Sequence, residues 1–106
     1  MKEFVGRWRI TAMDMWDQDY VDLVEPEFFE FGSDGMGSFV FGAVRGWLDA
    51  RVSDGRSRLE YTWQGDCEGD DMSGRGWFEF QGGDQADGML FIHAGDESGI
   101  TIEREA

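Results

Sequence analysis

From residue 27 to residue 104 the chain never runs far without a reversal carrying glycine, and the pieces between reversals alternate apolar and polar with period two. That period places successive side chains on opposite faces of an extended backbone, so the pieces are strands. Residues 57–65 show it most cleanly, with Leu59, Tyr61 and Trp63 alternating against Arg58, Glu60, Thr62 and Gln64. Reversals fall at Ser33-Asp-Gly35, Asp54-Gly55 and Gly82-Gly-Asp84, the residue types that hairpin turns require. Sixteen Gly against a single Pro suit many tight turns.

The opening segment, 1–13, reads as a strand with Phe4, Gly6, Trp8, Ile10 and Ala12 facing inward and Val5, Arg7, Arg9, Thr11 and Met13 facing out. Residues 14–26 break the pattern. Asp14 can cap a helix, Trp16, Tyr20, Leu23 and Val24 form one apolar stripe at helical spacing, and Pro26 ends it. Strands are then expected over 27–32, 36–41, 43–53, 57–65, 74–81, 88–94 and 100–104, with 66–73 an acidic loop. The inward phase carries Phe29, Phe31, Phe39, Leu48, Leu59, Tyr61, Trp63, Phe78, Phe80, Leu90, Ile92, Ile100 and Ile102. Short sequential connections imply an all-β, eight-stranded, up-and-down antiparallel barrel with one short helix between strands 1 and 2, formed by a single domain over 1–106.

Gly6-Arg7-Trp8 on a first strand, ahead of a short helix and a seven-strand meander, resembles the opening of lipocalin-like, calycin-like barrels. Gly6-Arg-Trp-Arg-Ile10, Met15-Trp-Asp-Gln-Asp-Tyr20, Ser73-Gly-Arg-Gly-Trp77 and Phe91-Ile-His93 with Gly95-Asp-Glu-Ser-Gly99 are similar to a family of small bacterial proteins of unknown function, some encoded on mobile gene cassettes. The first resemblance implies a barrel whose interior or mouth can hold a ligand. The second implies no activity.

Nine basic against 23 acidic side chains leave a net charge of −14, which opposes direct binding of nucleic acid through its phosphates. Between Ile10 and Val44 there are eight acids, Asp14, Asp17, Asp19, Asp22, Glu25, Glu27, Glu30 and Asp34, and no Lys or Arg. One cysteine, Cys67, permits no internal disulfide, and no apolar run reaches the roughly 20 residues of a membrane helix. A cytoplasmic protein without membrane association, monomeric or homodimeric, is the expectation.

Candidate chemistry is sparse. Asp66-Cys-Glu-Gly-Asp-Asp-Met-Ser73 spaces carboxylates as a calcium loop does, yet Asp71 and Trp77 stand where an EF-hand needs Gly and Glu. Cys67 lies among Asp66, Glu68, Asp70 and Asp71, which disfavour a thiolate. His93 is the single histidine, leaving at most a mixed site or an acid–base pair with Asp96. No nucleophile occurs at a recognisable spacing, so no catalysis, cofactor or metal is expected.

Two binding readings remain. In the first, a small, partly apolar or cationic ligand occupies the barrel or its mouth, touching Trp16, Asp17, Asp19, Tyr20, Trp63, Arg75, His93 and Asp96. In the second, an acidic interaction module, acting as an inhibitor or nucleic-acid mimic, meets a basic protein through Asp14, Asp17, Asp19, Asp22, Glu25 and Glu27. Trp47, Arg75 and Trp77 point outward, where large aromatics often mark an interface. The period-two phase predicts that Trp63→Ala lowers stability by about 3–5 kcal/mol. Urea unfolding checks this, and a loss near zero would put Trp63 on the solvent face and invert the strand.

Overall fold

The computed structural model describes residues 4–14, 27–52, 58–82 and 84–105. Eight strands follow in order: β1 (Gly6–Met13), β2 (Phe28–Phe31), β3 (Met36–Phe41), β4 (Val44–Val52), β5 (Arg58–Cys67), β6 (Asp70–Phe80), β7 (Gln85–Ile92) and β8 (Glu97–Arg104). Each pairs antiparallel with the next, and β8 returns to β1, closing an up-and-down barrel. Closure satisfies both edges of every strand and leaves no template for aggregation. No helix occurs among the described residues, and none is long and apolar enough to cross a membrane. The helix expected over 14–26 lies outside the described residues except for Asp14.

The interior is packed by rings laid over glycines. Phe39 faces Gly46, Trp63 faces Gly74, Tyr61 faces Gly76 and Phe78 faces Gly88, each as a direct register partner on the adjacent strand. A methyl group at Gly74 would come within 2.7 Å of the Trp63 Nε1, and one at Gly88 within 2.8 Å of the Phe78 ring. Gly46 and Gly76 lie tighter still under Phe39 and Tyr61. The rings thereby reach across a strand: the Tyr61 hydroxyl donates to the Met89 carbonyl at 3.1 Å and the Trp63 Nε1–H to the Phe91 carbonyl at 3.2 Å. They also contact one another in offset-stacked and edge-on pairs. Phe29 lies 4.7 Å from Phe39 and 5.0 Å from Phe78, and Phe39 lies 5.1 Å from Trp63, within the range where aromatic pairs add to area burial.

Trp8 is fully buried against Phe4 and Phe80, at ring distances of 6.2 Å and 6.5 Å. Its Nε1–H donates to the Phe4 carbonyl at 2.9 Å, and the Arg104 guanidinium sits 4.3 Å over its ring. Arg104 is held in turn by the Val5 carbonyl at 3.0 Å and by Asp84 at 3.5 Å.

Most of the expected inward residues are buried; Phe80 and Ile92 are partly exposed but pack against the core. Three local expectations are corrected. In β1 the inward phase switches after Ile10, because Ile10 pairs with Ile102 and Ala12 with Thr101, leaving Thr11 as an extra residue. Such a bulge shifts the alternation by one, so Ala12 is exposed and Met13 buried. The acidic loop expected over 66–73 is instead continued β-ladder: Cys67 pairs with Asp70 around a two-residue turn at Glu68 and Gly69. Both turn residues have positive φ, 54° and 92°, as the tightest twisted hairpins require. Finally, Glu27 is fully buried. It shares the inward phase of Phe29 and Phe31, and its carbonyl accepts the Ile10 amide at 3.1 Å, so it is not part of an acidic outer face.

Two measurements test this packing. Gly76→Ala inserts a methyl group where the Tyr61 ring and the Met89 carbonyl already meet, and is expected to destabilise by about 1–3 kcal/mol in urea unfolding. Burial raises the Tyr61 phenol well above its ordinary range. Its contribution is therefore complete below the unfolded-state value of about 10 and is lost as pH rises beyond that toward the folded-state value. Tyr61→Phe should lose about 1 kcal/mol at neutral pH through the missing hydrogen bond and show a shallower loss of stability above about pH 10 than the parent.

Candidate functional site

Rings fill the barrel, and the grooves among its described residues lie on the outer wall. Because the strands alternate, the residues opposite one another across β3 to β7 form outward rows. Met36, Asp49, Thr62, Arg75 and Phe91 are successive register partners in one row. Ser38, Trp47, Gln64 and Ser73 make the next, and the His93 amide donates to the Ser73 carbonyl at 2.7 Å at its end. Small polar residues in the middle of these rows lie between large side chains on the flanks. The wall is consequently grooved.

Four grooves share this ground. One, of about 350 Å³, runs between Met36 and Trp47 over Asp49, Thr62, Gln64 and Ser73. A second, of about 610 Å³, lies on the other side of Trp47 and is lined by Gln64, Asp66, Asp71, Met72, Ser73 and His93. A third, of about 370 Å³, is lined by Thr62, Ser73, Gly74, Arg75, Phe91, Ile92, His93 and Ala94. A fourth, of about 520 Å³, lies on the other side of Arg75 and is lined by Asp49, Arg51, Arg58, Glu60, Thr62, Trp77 and Phe91. Trp47 is 57% exposed and Met36 54% exposed, so two large apolar side chains flank one depression with much of their surface in water.

The cations of the barrel wall are mostly committed. Arg7 pairs with Glu105 at 3.4 Å, Arg51 with Asp49 at 3.7 Å and Arg58 with Glu79 at 3.0 Å. Arg7 also lies over the Phe28 ring at 3.9 Å, and Arg58 over Trp77 at 4.1 Å, which explains why Trp77 is half-buried while Trp47 is open. Arg75 stacks on Phe91 at 4.6 Å and has no carboxylate within ion-pair distance among the described residues. Its neighbours across the ladder, Thr62 and Phe91, are both uncharged.

The structure brings together two of the residues singled out from sequence, Arg75 and His93, in one groove. Trp63 is a core residue, 4% exposed, its indole tied to β7. Asp96 lies in the turn after β7, where its carbonyl accepts the Ile92 amide at 2.9 Å, and does not line that groove. Trp16, Asp17, Asp19, Tyr20, Asp22 and Glu25 fall outside the described residues. Asp14 is exposed, and its amide donates to the Gly99 carbonyl at 3.0 Å and the Ser98 hydroxyl at 3.1 Å. Sequence reasoning passed over Thr62, Gln64, Ser73, Met36 and Phe91. Their signal was the outward phase of short polar side chains between bulky ones.

Cys67 is partly buried at the end of β5. Burial first, and then the carboxylates of Glu68, Asp70 and Asp66, push its thiol up, which disfavours the thiolate that a nucleophile needs. Comparisons of the chain with protein-family models, with curated proteins and with solved structures find no match in any of the three.

Proposed function

We propose that this protein is a non-enzymatic, calycin-like barrel that serves as an acidic interaction module, engaging a basic partner protein through the outer wall around Trp47. The observation that carries this reading is the exposure of Trp47 and Met36 on the rims of a shared groove, 57% and 54% respectively. Apolar surface of this size stays in water at a cost unless something covers it. The chemistry of the cover follows from the neighbours. The two grooves beside Trp47 contain Asp49, Asp66 and Asp71, and no Lys or Arg lines either one; of the three, Asp49 pairs with the exposed Arg51, while Asp66 and Asp71 are in no ion pair among the described residues.

An indole face with carboxylates on both sides suits the Arg and Lys side chains of a partner, because the ring attracts a cation and the carboxylates pair with it. The net charge of −14 adds long-range attraction and speeds encounter. Carboxylates ranged along a wall also imitate a phosphate backbone, which supports the inhibitor or nucleic-acid-mimic form of this role. The ring-filled interior is the reason the wall, and not the lumen, carries the reading. The calycin-like assignment itself rests on the Gly6-Arg7-Trp8 opening and the closed eight-strand meander.

The test is titration of the full chain with a short arginine-rich peptide, followed by NMR of the tryptophan indole signals. Binding should shift the Trp47 indole, weaken as salt is added, and fall roughly tenfold with Trp47→Ala, as loss of an aromatic anchor does. The triple variant D49N, D66N and D71N should weaken it similarly. Undiminished binding by Trp47→Ala, with loss on reversal of Asp17, Asp19 and Asp22 instead, would move the interface to residues 14–30 and overturn the Trp47 assignment.

A further inference from the structure

We infer that the groove between β5, β6 and β7 is a separate small-molecule site that takes a flat, monoanionic carboxylate, with Arg75 as its anchor. The inference does not depend on the Trp47 interface. In a chain with 23 acidic and nine basic side chains, four described arginines are matched to carboxylates. Arg75, like Arg45, makes no ion pair among the described residues; of the two grooves Arg75 borders, one contains Asp49 and Glu60, whereas the other, toward β7, is lined by no Asp or Glu. An uncommitted guanidinium offers five donors in a planar fork that fits a carboxylate with two parallel hydrogen bonds. Its stacking on Phe91 at 4.6 Å limits the orientations of the fork before a ligand arrives, so less freedom is lost on binding.

The rest of the groove suits the same ligand. Thr62 and Ser73 place hydroxyls beside Arg75, and the hydrogen bond from the His93 amide to the Ser73 carbonyl, 2.7 Å, fixes the start of the turn that carries the imidazole. Phe91 and Ile92 supply an apolar flank. The volume, about 370 Å³, falls within the roughly 300–1,000 Å³ range of small-molecule sites. Charge selects the class. One guanidinium balances one negative charge, whereas Glu97, opposite Phe91 on β8, and the overall charge of −14 oppose a second. A planar aromatic carboxylate therefore fits better than a phosphate dianion.

Benzoate is the probe, titrated into the full chain and followed by NMR of the Arg75 Nε–H and the His93 ring. Saturable shifts at both groups are expected, with benzyl alcohol causing neither and inorganic phosphate binding more weakly. Arg75→Gln should lower benzoate affinity roughly tenfold or more, as loss of a charge-assisted hydrogen-bonding partner does, and Arg75→Lys should weaken it several-fold by removing the fork. Trp47→Ala should leave it unchanged. Equal shifts with benzyl alcohol, phosphate binding as tight as benzoate, or full affinity in an Arg75→Gln protein with unaltered thermal unfolding would each overturn the site. Peptide binding lost in Trp47→Ala while benzoate binding persists separates this site from the interface.

Discussion

The laying of aromatic rings over glycine backbone on the neighbouring strand holds the rest of this barrel in place. An eight-stranded barrel has an interior that side chains can just fill, and here the fill is heavy on one side of each pair and absent on the other. Phe39 over Gly46, Trp63 over Gly74, Tyr61 over Gly76 and Phe78 over Gly88 follow one rule of volume matching across the ladder. The register of β3 through β7 is thereby coupled to packing. A slip by one residue would place rings on the outer face and glycines opposite bulky residues elsewhere.

The aromatic column runs from Phe4 and Trp8 through Phe31, Phe29 and Phe78 toward Phe39 and Trp63, and the grooves described above lie on the outer wall. There the same ladders align residues in rows, so short polar side chains at Thr62, Gln64 and Ser73 become the floor of grooves between Trp47 on one side and Phe91 and His93 on the other. The two flanks differ in charge. Carboxylates gather around Trp47, while Arg75 stacks on Phe91 between neutral ladder neighbours, with Asp49 and Glu60 in the groove on one side of it and no carboxylate in the groove on the other.

Much of this fold was legible in residues 57–65 and their counterparts, where an unbroken alternation admits only one inward face. The failures have specific causes. A bulge at Thr11 adds one residue to β1 and exchanges the faces of Ala12 and Met13, and no property of Thr11 itself announces it. The acidic composition of 66–73 suggested a solvated loop, yet outward carboxylates are compatible with a ladder when Glu68 and Gly69 supply the turn. Charge likewise suggested an exposed Glu27, whereas its parity with Phe29 and Phe31 was the stronger indicator. For the candidate site, the outward direction of Trp47, Trp77 and Arg75 could be read from phase. Their different degrees of cover could not, since Trp77 lies under Arg58 from another strand.

The sequence by itself determined the strand number, the antiparallel order and most of the inward residues, because period-two alternation and turn chemistry act within a few residues of chain. It also determined the acidic character of the molecule, which is a sum over side chains and needs no fold. Tertiary structure alone decided which glycine lies beneath which ring, where the ladder gains a residue, and which polar side chains of β4, β5, β6 and β7 share a groove. Those depend on register between segments distant in sequence, and register is set by how the volumes of facing side chains fit once the barrel closes.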